Sequence, residues 1–287
     1  MVEPISVLAT GGRDPEVAPP PFDTTVPHAS RMYDYLLGGK DNFAADREAA
    51  EQVVAIDPDV RRAVRANRAF HGRAVRYLAG EAGIRQFLDI GTGIPAADNT
   101  HEVAQRVAGD SRIVYVDNDP IVLAHARALL TSAHAGTVSY LDADLRDPDT
   151  ILQAARQRLD FGAPVAIMLL LVLHLIPDSD DPWRIVGRLV DAVPPGSYLV
   201  VSHPASDMDA PAAAEVAGRV NQRMRATPMT LRSRAEVSRF FDGLDVLPPG
   251  LVSQNRWPDP AARYDEPHIG GYGAVAASPA SVTAGHE

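Results

Sequence analysis

The 287-residue chain contains no cysteine. Without a thiol there is no disulfide framework, no thiolate metal site and no cysteine nucleophile, which removes several enzyme classes. It also lacks a basic excess, because 27 Lys and Arg face 37 Asp and Glu for a net charge of −10. Such a chain offers no broad basic face to an anionic backbone, so no nucleic-acid partner is expected. Long hydrophobic runs are missing as well. The most apolar stretch, Val165–Leu173, lies between Pro164 and Pro177 and is far too short to span a bilayer, which predicts a buried strand and no membrane partner. The N-terminal MVEPISVLATGGRDPE has acidic residues, Gly and Pro where a signal peptide needs a basic start and an apolar stretch, so a cytoplasmic protein is expected. There is no H-E-x-x-H, the histidines are scattered, and Asp178, Asp180 and Asp181 have the look of solvated loop acids, so no metal site is predicted. No Ser-His-Asp arrangement stands out either.

What is present suits a packed soluble domain: 46% apolar and 22% charged residues, in a length that fits one large α/β domain with an N-terminal addition. Residues 1–27 are rich in Pro, Gly and Thr without an apolar period and predict a disordered tail. Residues 28–80 turn helical in pattern. A helix is expected to start at Asp57-Pro58, with Asp57 as cap, and to run to about Leu78. From 81 to 280 short apolar runs alternate with amphipathic stretches. That alternation predicts an α/β, Rossmann-like doubly wound sheet of seven mostly parallel strands with helices on both faces. The strands fall at Phe87–Ile90, Ile113–Asp117, Val138–Asp142, Val165–Leu171 and Tyr198–Ser202, with Asp245–Val252 and Tyr272–Ala277 closing the sheet. Helices are expected near 99–108, 120–131, 148–159, 182–193, 210–225 and 233–241.

The strongest local signal is FLDIGTGIP, residues 87–95, where an apolar strand ends near Asp89 and enters a turn through Gly91, Thr92 and Gly93. Glycines let the backbone turn sharply and approach a ligand, while the following helix offers free N–H groups, which favours a nucleotide-like ligand. The turn alone is ambiguous. Residues Gly91 to Ala96 also fit the G-x-G-x-x-A form used for dinucleotides, which leaves an NAD-binding oxidoreductase open. The second strand ends in Asp117, followed by Asn118, where a carboxylate can accept from both hydroxyls of a ribose. The third runs into Asp144 and Leu145, an acceptor for an exocyclic adenine amine and an apolar surface for its ring.

Taken in order, Asp89, Gly91, Gly93, Asp117 and Asp144 at successive strand ends resemble the class I S-adenosylmethionine-dependent methyltransferases, in which an acid two positions before the first glycine is usual. Pro95 stands where many members have a third glycine. The stretches MYDYLLGGKDNFAADREAAE and FLDIGTGIPAADNTHEVAQ are more narrowly similar to an S-adenosyl methyltransferase family common in actinobacteria. The resemblance implies S-adenosyl-L-methionine as cofactor and methyl transfer to an acceptor it does not identify, with a small molecule expected. A non-catalytic S-adenosylmethionine-binding regulator fits the same residues, because methyl transfer demands no base.

On the acceptor side, His174 near the end of the fourth strand is a candidate base, although a core histidine bonded to backbone fits the same position. His101, in the first turn after the glycine loop, is expected to cap that loop or face the methionine moiety, and His203 to border the acceptor pocket. Asn67, Arg68 and His71 share one helical face and could reach the cofactor carboxylate. Tyr33 and Tyr35, followed by Gly38, Gly39, Lys40, Asn42 and Phe43, predict an N-terminal helical lid with a glycine hinge.

Overall fold

The computed structural model describes residues 23–124, 137–223, 228–258 and 270–279. Three helices come first: α1 (Ala29–Leu37), α2 (Ala44–Ile56) and α3 (Val60–Gly80). The sheet follows, with β1 (Gln86–Ile90), α4 (Thr100–Val107), β2 (Arg112–Asp117), a helix α5 described over residues 120–124, β3 (Val138–Asp142), α6 (Pro148–Ala155), β4 (Ala166–Leu170), α7 (Pro182–Val190) and β5 (Tyr198–Pro204). Then come α8 (Ala210–Arg223), α9 (Arg234–Ser238), β6 (Asp245–Val246), β7 (Val252–Ser253) and β8 (Gly271–Ala277). The strand order is β3-β2-β1-β4-β5-β8-β6, with β7 also on β8. Strands β1 to β5 are parallel, and β8 inserts antiparallel beside β5. This order departs from the wholly sequential 3-2-1-4-5-6 arrangement of dinucleotide-binding folds.

Alternate residues of each strand go to opposite faces, and the two cores show it. Leu88, Ile90, Val114, Val116, Ile167 and Leu169 pack with α6 and α7, whereas Phe87, Ile113, Tyr115, Ala166 and Met168 pack with α3 and α4. Both faces are therefore covered, which is why the central strands read as unbroken apolar runs. Helix α3, about 30 Å long at 1.5 Å per residue, serves two layers. Its Phe70, Ala74 and Leu78 lie on the sheet, while Val64 joins Met32, Leu36, Val53 and Val220 in a separate cluster of α1, α2, α3 and α8.

Several boundaries differ from expectation for identifiable reasons. The expected strand Asp245–Val252 is two short pairs, because Pro248 and Pro249 bring no backbone donor to a ladder. Helix α3 starts at Val60, not at Pro58: Asp57 ends α2, and its Oδ1 accepts the Asp59 N–H at 3.0 Å, which makes a turn between the helices. Gly38, at φ 89°, caps α1 in left-handed backbone. Most of the expected tail 1–27, and the later parts of the helices expected at 120–131 and 210–225, lie outside the described residues. Among the described residues no helix is long and apolar enough to cross a membrane.

Candidate functional site

The chain runs outward from β1 to β3 on one side and from β4 to β5 on the other, so a crevice opens at the carboxyl ends where the order reverses. A cavity of about 480 Å³ occupies it. One half is built by the ends of β1, β2 and β3. Gly91 (φ 73°) and Gly93 (φ 67°) take left-handed backbone, and a Cβ on Gly91 would collide with the Val172 side chain. The turn is anchored by the Gly91 N–H on Val116 O at 2.8 Å and by the Gly93 N–H on Asp117 Oδ2 at 2.8 Å.

Asp117 accepts a second backbone bond, from Asp119 N–H at 2.9 Å on Oδ1. A carboxylate has about four lone-pair sites, so two remain for a ligand. Burial raises its pKa, partly offset by those two N–H bonds. Asp144 is different, because Arg146 grips it through Nε–Oδ1 (3.0 Å) and Nη2–Oδ2 (2.8 Å), and the Arg146 N–H and Asn118 Nδ2 add further bonds. Burial pulls its pKa up, but these bonds outweigh that and hold it low. With those sites filled, Asp144 can take an adenine amine only after the half-exposed Arg146 swings away. Leu145 and Asn118 line the same end of the cavity, as does Thr92.

Asp89 lies deeper and is only 7% exposed. The Thr100 hydroxyl donates to its Oδ2 at 2.5 Å and itself meets His71 Nε2 at 2.7 Å. Since the hydroxyl proton goes to Asp89, Nε2 must carry a proton and His71 is neutral. Burial, with Arg68 adding to it, pushes His71 down to about 3. Burial raises Asp89 to about 6, against the Thr100 bond and with help from Asp117. Arg68 lines the cavity and donates to the carbonyls of Ala97 (2.7 Å) and Asp98 (3.1 Å), which fixes the stretch after the glycine turn.

The N-terminal helices cross over this half. Ser30 Oγ donates to Asp119 Oδ2 at 2.7 Å, and His28 Nδ1 lies 3.0 Å from the same oxygen. Burial alone would raise Asp119, yet His28, Ser30 and the Ile121 N–H take it down to about 2. Phe43 packs on Ile94, Ile121 and Val122. Tyr33 lines the cavity with its hydroxyl on Val64 O (3.1 Å) and accepts from Asn67 Nδ2 (2.9 Å), while Asn67 Oδ1 accepts from Ser202 Oγ (2.6 Å). Ser202 also holds the N–H of Leu171, a non-glycine residue at φ 48° where β4 meets the cavity.

Four expected positions are corrected. Tyr35 turns away from the cavity and bonds Glu51 under the Arg61 guanidinium. His101 bonds the Tyr115 hydroxyl outside the cavity wall, and it is its neighbour Thr100 that reaches Asp89. His203 is fully buried between Pro204 O and Arg232. Asn42 serves Asp34 and not the site. His174 does line the cavity, with Nδ1 buried and unpartnered. Burial, then His203 and Arg232, lower it to about 3, so it stays neutral near pH 7 but is too weak a base to keep a proton.

No sequence signal marks Arg232, which is 1% exposed and donates to Leu173 O (2.9 Å), Ile176 O (2.8 Å) and Asp178 (2.6 Å), pinning the loop that carries His174. The role of Thr100 had a faint signal, since Asn99 and Glu102 form a readable capping box that fixes where α4 begins. Among the described residues no group of three or more acids and histidines is placed to hold a metal ion.

The cradle fits an adenosyl ligand: a glycine turn with no room for a Cβ at Gly91, an acid with spare acceptor sites at the end of β2, and apolar Leu145 beside them. Comparison with known proteins agrees. A family model described as S-adenosyl methyltransferase matches residues 15–279. The crystal structure of a DUF574 family protein from Streptomyces avermitilis is 45% identical, with 90% of this chain and 99% of that one covered and a TM-score of 0.85. A protein of Thermobifida fusca described as a methyltransferase candidate is 40% identical, covers 92% of this chain and 100% of its own, and gives a TM-score of 0.84. No curated protein matches. The dinucleotide reading of the glycine turn falls, and with it the NAD-linked oxidoreductase. The chain belongs to the S-adenosyl methyltransferase family and is an S-adenosylmethionine-dependent methyltransferase.

Proposed function

We propose that the chain methylates a small molecule held next to the cofactor, under a roof made by the N-terminal helices. One observation carries this reading: a single cavity of about 480 Å³ runs from Gly91, Asp117 and Leu145 to Tyr33, His174 and Val216. That size is typical of small-molecule sites, about 300–1,000 Å³. On this reading residues 28–80 act as the cap and 81–280 as the cofactor-binding domain.

S-Adenosylmethionine supplies a methyl group activated by a sulfonium; transfer breaks the methyl–sulfur bond, forms a bond to the acceptor nucleophile and leaves a neutral thioether. The chain's own work is placement. The turn at Gly91, Thr92 and Gly93 would bring backbone close to the cofactor, Asp117 would give its two free acceptor positions to the ribose, and Asn118 and Leu145 would hold the adenine. Asp89, oriented by Thr100 and His71, faces the methionine end, where an ammonium would pair with its carboxylate. Arg68 and Asn67 hold the surrounding walls. Tyr33 closes over the site and excludes water. His174 orients the acceptor by hydrogen bonding, and the acceptor's proton leaves to water, so rate comes from alignment more than from base strength. The direct test is turnover: S-adenosylhomocysteine accumulates when protein and cofactor meet a small-molecule cell extract, and not with protein-only or nucleic-acid fractions. Product formation confined to either macromolecular fraction overturns the reading.

Asp89 also makes stability depend on pH. Its folded value of about 6 exceeds the unfolded value of about 3.9, so the folded state holds the proton more tightly. The stabilisation is fully present below about pH 4 and is lost as pH rises to about 6, at most about 3 kcal/mol for a shift of two units. Asp89→Asn removes that loss. Denaturant melts should show the variant gaining on the parent between pH 4 and pH 7 while its cofactor affinity falls; a constant difference across that range contradicts the ionisation assigned to Asp89.

A further inference from the structure

The half of the cavity away from the glycine turn is walled by Met32 and Leu36 of α1, Val64 of α3, and Ala213, Val216 and Val220 of α8. On α8 these positions recur at three and four residues, while Pro211, Ala214, Glu215, Gly218 and Arg219 are exposed. An amphipathic helix of this kind normally lays its apolar stripe on a core. Here the stripe is made of small side chains and borders open volume. The polar groups of the wall are already matched to one another: Tyr33 with Val64 O and Asn67, and Asn67 with Ser202. Three lining side chains keep a buried polar atom without a partner, His71 and His174 at Nδ1 and Gln254 at Oε1; His71 belongs to the Asp89 end, which leaves His174, 7% exposed, and Gln254, 3% exposed, for a ligand.

The charges on this half have one sign. Asp57, Asp59 and Asp209 line it, while the two arginines of the cavity lining are held at the cofactor end, Arg68 on the Ala97 and Asp98 carbonyls and Arg146 on Asp144. Asp59 is paired with Arg62 outside the wall. Burial raises Asp57, and Asp59 and Asp209 add to the rise, which places the three acids near one another.

We infer that the methyl acceptor is a predominantly apolar small molecule without an anionic group, its body in the lobe between α1, α3 and α8 and its one polar group at His174. Apolar walls reward such a body in proportion to the area it buries. A carboxylate or phosphate there would meet three acids, while the arginines among the described lining residues are already engaged at the cofactor end. The inference rests on the methyltransferase reading of the same cavity but goes beyond it, because that reading is silent on acceptor chemistry.

Two probes on the same naphthalene ring test it, neutral 2-naphthol and anionic 2-naphthoate, titrated by calorimetry into protein saturated with S-adenosylhomocysteine at pH 7.5. The expected result is binding of 2-naphthol at least tenfold tighter than 2-naphthoate. Ala213→Trp, which fills the lobe, should abolish naphthol binding and leave S-adenosylhomocysteine affinity within about twofold; Val216→Phe serves if the first variant does not fold. Equal or tighter binding of naphthoate, no binding of naphthol to the saturated protein, or naphthol binding unchanged in both folded variants overturns the inference. Failure of S-adenosylhomocysteine itself to bind would instead overturn the underlying reading, so the two failures are told apart.

Discussion

Asp117→Ala should weaken S-adenosylmethionine binding by roughly 100-fold, close to 3 kcal/mol, which is what two hydrogen bonds to a largely buried carboxylate are worth. The size follows from a double duty. Two acceptor sites of Asp117 stay open to the cavity, where the proposed ribose would take them, and its other two hold the N–H groups of Gly93 and Asp119. Alanine therefore removes the ligand's acceptors and also unties the glycine turn from β2. Asp117→Asn keeps one oxygen for Gly93 and should lose about tenfold. Calorimetry on both variants, with circular dichroism to verify folding, reads the outcome. An affinity unchanged in Asp117→Ala removes the residue from the site.

The second large effect lies outside the cavity. Arg232→Leu should cost about 3 kcal/mol, because the Leu173 and Ile176 carbonyls lose their donor in a buried setting where each unmet group costs about 1–3 kcal/mol. At about 2–4 °C per kcal/mol for a chain of this size, the melting temperature falls by roughly 6–12 °C. The guanidinium also stacks over Trp183 and Phe240, at 5.2 and 5.7 Å from the ring centroids, contacts a lysine cannot reproduce in fork geometry. Arg232→Lys should therefore recover only part of the loss. A melting temperature within about 2 °C of the parent in the leucine variant would show that the loop after β4 is held by something else.

The sheet was legible because strands buried on both faces leave apolar runs, and the glycine turn because its chemistry is local. Asp117 belongs to the same class, since a residue at a strand's carboxyl end is placed by the strand itself. Asp144 was legible in position but not in state: Arg146, only two residues on, fills its acceptor sites, and sequence does not say where an arginine folds. Tyr35 had a readable warning. Two residues on a helix are about 200° apart, so Tyr33 and Tyr35 could not both face one cavity, and the structure gives the wall to Tyr33. The same spacing argument separates Thr100, which reaches Asp89, from His101, which does not. Arg232 had no such signal, because its partners Leu173, Asp178 and His203 lie 59, 54 and 29 positions away. The acceptor lobe was equally hidden: it needs α8, far along the chain, to lie against α1 and α3. The small residues of α8 look like ordinary helix formers until their partner surface is known.

The measurement that bears most directly on the account is a crystal structure of the protein with S-adenosylhomocysteine. The expected complex has the ribose hydroxyls on Asp117, the adenine beside Asn118 and Leu145, the amino acid end toward Asp89, and α1 lying over the ligand with Ser30 still on Asp119 and the space before Val216 left open. A ligand bound away from Asp117, or α1 lifted off with Tyr33 turned from the cavity, would contradict it.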